Sequence, residues 1–141
     1  ALNAERHVTR QVARSGIEEL EPRKALALPS LDLQDREHRE DFERRMQGHP
    51  GLSPENLERY YQAQVIWDEA MAERSAEWIG RHAPVRRLMI VAGQAHCQRP
   101  AIPARMERRG VRRVSTVLLA SEDAPVEDVS GYDYALVVGP R

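Results

Sequence analysis

Leu88-Met89-Ile90-Val91-Ala92-Gly93-Gln94-Ala95-His96 joins an unbroken apolar run to a glycine and, three residues on, a histidine. Five consecutive apolar residues, some β-branched, predict a strand buried on both faces, the pattern of a parallel sheet. Two later runs read the same way: Val114-Ser115-Thr116-Val117-Leu118-Leu119 and Tyr134-Ala135-Leu136-Val137-Val138. Between the first two strands, Pro103 to Arg109 predicts a short helix stopped at Gly110. Strand, helix, strand is the unit from which parallel sheets are built. Residues 121–131 are acidic and turn-rich and predict a loop. The expected fold class is therefore α/β, a mainly parallel sheet flanked by helices. Residues 1–82 are expected to be mainly helical and residues 83–141 to run strand, helix, strand, loop, strand.

The earlier half carries helix signals. Asn3 suits an N-cap, and Val8 and Val12 share one face of the pattern that runs from it to Gly16. Residues 17–33 are broken by Pro22 and Pro29, and residues 34–47 are charged and helical in pattern, with Phe42 and Met46 one turn apart. After the turn cluster Gly48-His49-Pro50-Gly51, the order Ser53-Pro54-Glu55 places a capping hydroxyl, a proline at the first helical position and an acid in the first turn. This predicts the longest helix, from about Pro54 to Arg81, ended by Gly80 and Pro84. Three strands are few beside the usual 5–6 or so per sheet. Together with a helix cap only two residues from Ala1, this gives the expectation that the chain is the C-terminal portion of a larger domain.

Composition narrows the function classes. The 141 residues carry 21 basic and 22 acidic side chains, so no general electrostatic attraction to nucleic acid is expected. No apolar run reaches the roughly 18 residues of a membrane span. A single cysteine, Cys97, cannot form an intrachain disulfide. The motifs HExxH, CxxC, GxGxxG, GxSxG and the P-loop are all missing from the sequence.

Polar residues on the apolar stripe of the long helix carry more information. At 100° per residue, Leu57, Tyr61, Met71, Ala72, Trp78 and Ile79 share one face, and Gln64, Asp68 and Ser75 fall among them. An unpaired carboxylate there is costly. Two readings stand open: Asp68 pairs with an arginine or caps a loop, or Gln64 and Asp68 point into a polar site. Glu69 lies on the flank and is expected to be solvated, as are His7, His38, His49 and His82. Tyr61 faces inward and Tyr60 lies near the edge; both are packing residues or, alternatively, phenolate ligands to ferric iron. His96 sits beyond the carboxyl end of a predicted strand, where open α/β sheets bind ligands, and imidazole is both a metal ligand and an acid–base group. Arg99 is a candidate for a propionate or phosphate. Cys97 beside His96 lacks the spacing of a zinc site.

Two segments resemble a known family. Tyr61-Gln62-Ala63-Gln64-Val65-Ile66-Trp67-Asp68-Glu69-Ala70-Met71-Ala72 is similar to the AQxxWDxxMA helix of ChaN-like haem-binding uptake proteins, and Ala92-Gly93-Gln94-Ala95-His96 with Ile102-Pro103 resembles that family's AGxxH…GIP loop. Ala1-Leu2-Asn3-Ala4 and Tyr132-Asp133-Tyr134 resemble its strand end and its final strand. Cys97 and Ala101 depart from the pattern, which usually has an apolar residue and a glycine at those places. The resemblance implies a C-terminal portion of one ChaN-like α/β domain, related to the Tiki, TraB and erythromycin-esterase group. It implies haem or an iron cofactor as ligand and a role in haem or iron uptake. His96, Tyr61, Tyr60, Gln64, Asp68 and Arg99 would bind the ligand, with His96 as metal ligand. It further implies a homo-oligomer and a periplasmic or lipid-anchored location. The rival implication is a metal-dependent hydrolase or peptidase of the Tiki or erythromycin-esterase type, using the GxxH histidine and a divalent metal ion.

Overall fold

The structure is a computed structural model that describes residues 2–50, 52–82, 86–123 and 128–139. Gly51, Pro84 and the middle of the acidic loop lie outside the described residues. Six helices precede two strands among those described: α1 (Arg6–Ser15), α2 (Pro22–Leu26), α3 (Arg36–Met46), α4 (Pro54–His82), α5 (Gln94–Cys97), α6 (Ile102–Arg108), β1 (Val117–Ser121) and β2 (Tyr134–Val138).

Helix α4 is the spine. Its start follows the local chemistry: the Ser53 hydroxyl accepts from the Asn56 amide at 3.1 Å, with Pro54 as the first helical residue. Three groups of side chains pack around it. Val8 and Val12 of α1 bury against Ala63 and Ile66. Phe42 of α3 packs with Tyr61 and Val65. Ile102 and Met106 of α6 pack with Met71 and Ala72. A helix contacted on three sides buries more than one stripe, so almost the whole stretch from Tyr61 to Ala72 is enclosed, with Trp67 half-buried. Trp78 and Ile79, expected on the buried stripe, are only half-buried because the flanking helices stop short of them.

Helix α1 ends at Gly16 as expected, with φ +87°. Its N-cap is Glu5 rather than Asn3. The carbonyls of Leu2 and Asn3 instead accept from the Arg74 guanidinium, which draws this segment onto α4. Helix α3 starts at Asp35, whose side chain accepts from the His38 amide.

The sheet is smaller than expected. β1 and β2 pair in parallel, with Val117 opposite Tyr134 and Ser121 opposite Val138. Asp133 sets the register: its carboxylate accepts from both the amide (2.7 Å) and the hydroxyl (3.1 Å) of Thr116. The expected first strand, residues 88–92, has no regular secondary structure and joins no ladder. Nor is it buried on both faces: Ile90 and Ala92 pack against the Met71–Ile102 group, whereas Met89 is 86% and Val91 87% exposed. Such a run becomes a strand only when a neighbour accepts its backbone hydrogen bonds, and no described residue does so. Among the described residues the sheet therefore has two strands rather than three and is a minor part of a mainly helical α/β structure.

Candidate functional site

Asp68, at the middle of α4, has no exposed surface, and each of its oxygens holds a histidine. Oδ1 lies 2.6 Å from Nδ1 of His96 and Oδ2 lies 2.9 Å from Nε2 of His38. Gln64, one turn earlier, donates from Nε2 to Asp68 Oδ2 and to the Ala95 carbonyl, both at 3.3 Å. Burial pushes the Asp68 carboxyl up, but the hydrogen bonds from His38 and His96 outweigh it, so the net direction is down and the group is a carboxylate. Its site is desolvated and the compensating donors are all side chains.

The short contact to His96 fixes a proton. Two lone pairs do not approach to 2.6 Å, so Nδ1 of His96 carries a hydrogen toward Asp68, and Nε2 is the ring nitrogen left for another partner. The Gln64 amide nitrogen, 3.0 Å from the same Nδ1, then spends its two hydrogens on Asp68 and Ala95. Trp67 closes one side, edge-on to the His96 ring at 6.0 Å. The His96 side chain keeps 21% of its surface open. This geometry begins locally, because Gly93 ends the apolar segment and α5 turns His96 back toward α4.

A second buried group adjoins the first. Arg105 of α6 is fully buried and donates from Nη2 to Nδ1 of His38 at 3.0 Å and from Nη1 to the carbonyls of Pro100 and Ala101. Its Nε lies 3.1 Å from Glu69. Glu69 also receives Arg108 at 2.8 Å and Arg109 at 2.6 Å. The Arg105 and Arg109 contacts are ion pairs by distance without aligned hydrogen bonds. Asp35 joins through Arg108 at 3.2 Å.

Of the residues expected at a site, Gln64, Asp68 and His96 come together. Asp68 is paired with two histidines and not with an arginine. Tyr61 does not join them. It is fully buried, donates its hydroxyl to the Asp35 carbonyl, packs on His38 and Phe42 and lies under the Arg39 guanidinium. Burial pushes its phenol up to about 12, which opposes a phenolate. Tyr60 is exposed on the outer side of α4. Arg99 is engaged by Glu107 at 3.0 Å and Asp133 at 3.5 Å. Cys97 donates weakly to the Ala92 carbonyl, and burial pushes its thiol up.

Two expectations are corrected. His38 was expected to be solvated and is 2% exposed; Glu69 was expected to be solvated and is 1% exposed. Both sit in charged segments, and both are buried because α3 and α6 close over α4 there. A signal for His38 did exist: His38, Phe42 and Met46 recur every four residues, a helical face shared with a core residue.

With the geometry in place, comparison with protein families gives a match over most of the chain. The family described as "Haem-binding uptake, Tiki superfamily, ChaN" matches residues 1–106. The chain belongs to this family. The ChaN match covers His38, Gln64, Asp68, Glu69, His96 and Arg105, and ends before β1 and β2. No curated protein and no solved structure matches the chain.

Proposed function

We propose that this ChaN-family chain binds haem or a related iron-bearing cofactor for uptake, with Nε2 of His96 as the ligand to iron. The supporting observation is the 2.6 Å bond between His96 Nδ1 and the buried Asp68 carboxylate. Metal-binding histidines usually donate their second ring nitrogen to a carboxylate or carbonyl, which fixes the tautomer and raises ligand basicity. Iron in haem commonly takes a histidine. The donor set therefore fits the cofactor: Asp68 orients His96, Gln64 bridges Asp68 and the His96 loop, and Trp67 offers an aromatic wall. The bound haem would supply the iron chemistry. Export, a lipid anchor and a homo-oligomer belong to the same proposal through the family. Among the described residues no helix is long and apolar enough to cross a membrane.

Titration of the purified protein with hemin tests this reading. A shifted Soret band is expected in the wild type, and His96→Ala should abolish or weaken it. No shift in the wild type would sink haem binding, and an unchanged band in the variant would remove His96.

The same dyad favours one alternative, a metal-dependent hydrolase in which His96 is a general base or metal ligand, because an oriented imidazole with a free Nε2 is what either role needs. Among the described residues no group of three or more His, Cys, Asp or Glu is placed to hold a metal ion. Stoichiometric bound metal, with ester or peptide hydrolysis lost in His96→Ala, would favour the enzyme.

A further inference from the structure

The carboxylate that holds His96 is itself held from behind. Arg105 reaches His38 at 3.0 Å, and His38 reaches Asp68 at 2.9 Å. A guanidinium has five N–H donors and no acceptor. Nδ1 of His38, facing Arg105, must therefore accept. The ring proton then sits on Nε2, where it is donated to Asp68 Oδ2. Oδ1 accepts from His96 Nδ1, and in the neutral ring Nε2 of His96 keeps its lone pair. Two groups in the series have fixed roles, Arg105 as donor and the Asp68 carboxylate as acceptor, and each imidazole takes the tautomer that its neighbours require. The Arg105 guanidinium is pinned in turn by the Pro100 and Ala101 carbonyls and by Glu69, so its orientation is set without His38.

We propose that Arg105 and His38 are positioning residues that hold the Asp68 carboxylate with Oδ1 toward Nδ1 of His96 and so keep that ring in one tautomer, in a hydrogen-bond series Arg105–His38–Asp68–His96. Neither residue meets the ligand. His38, Asp68 and Arg105 are all buried, and only His96 is partly open. The series thus runs from the core outward and ends at the partly open imidazole of His96. It rests on the reading of His96 as the ligand-binding residue, but its direction can be measured with no ligand present.

The test is proton–nitrogen correlation NMR on the ligand-free protein with labelled histidine rings. His38 is expected as the Nε2–H tautomer and His96 as the Nδ1–H tautomer. Either ring in the opposite tautomer would overturn the series. His38→Leu removes the nearer of the two donors to Asp68 Oδ2, and His96 should then lose its single tautomer and exchange between two. His38→Gln keeps an N–H at the place of Nε2 and should restore the wild-type His96 signals. Hemin affinity should follow the same order, falling about 10-fold or more in His38→Leu and recovering in His38→Gln. Unchanged His96 signals in a folded His38→Leu protein would reduce His38 to packing. If that variant does not fold, the wild-type tautomers and the Gln variant decide. Absence of hemin binding with both tautomers as expected would end the haem reading and leave the series standing.

Discussion

The surroundings of Asp68 and the surroundings of residues 88–92 invert the usual arrangement in opposite senses. Around Asp68, charged groups are inside: Asp68, Glu69, His38 and Arg105 are all buried. Around the strands, apolar groups are outside: Met89, Val91, Leu119, Leu136, Val137 and Val138 are all exposed. The first inversion is compensated within the described chain, since almost every buried charge meets an opposite charge or a donor. The second has no described partner, and β2 is exposed along its full length. Burial of charge demands specific neighbours, so the polar centre is closed by residues from α3, α4, α5 and α6 together. Burial of apolar surface demands only cover.

This contrast can be broken most strongly at Glu69. Glu69→Gln leaves Arg105 buried without its carboxylate and should cost about 3–5 kcal/mol, read as a shift in urea unfolding. A loss under about 1 kcal/mol would mean that the arginines find other partners and that the polar centre is less closed than its geometry. Acid gives a smaller and graded effect. Asp68 and Asp35 are both held below the ordinary value of 3.8. For groups depressed in the folded state, the stability they add is fully present above the unfolded value and lost as pH falls through the folded one. Stability should therefore decline below about pH 4, and the decline should be shallower in Asp68→Asn; equal slopes in the two proteins would take Asp68 out of the acid response. Val91→Ser should do least. With 87% of the residue in solvent, its effect should stay within about 0.5 kcal/mol. A larger loss would show that this face is covered in solution and would remove half of the contrast.

Much of the scaffold was legible beforehand. The start of α4 was readable from Ser53-Pro54, whereas Gly80, expected to mark its end, lies inside a helix that runs to His82; α6 and β2 were readable from local pattern. The inward face of Gln64 and Asp68 followed from 100° spacing on one helix. His96 was legible as the end of an apolar run. The run itself was misread as a paired strand, because five apolar residues report a preference for extended backbone and burial, and pairing depends on a neighbour. Tyr61 illustrates the same limit. Its inward position was correct, but only tertiary contacts decide that its hydroxyl meets the Asp35 carbonyl and its ring meets Phe42, on the His38 side of Asp68.

The amino-acid sequence by itself determined α1, α3, α4 and α6 to within a residue or two, the start of α4, and which side of α4 faces inward, because these depend on interactions within a few residues. The pairing of His96 with Asp68, of Asp68 with His38 and of His38 with Arg105 spans separations of 28, 30 and 67 residues. No local periodicity encodes such contacts. Only the closing of α3 and α6 over α4 decided them, since a buried carboxylate is tolerated only where the fold brings donors to both of its oxygens.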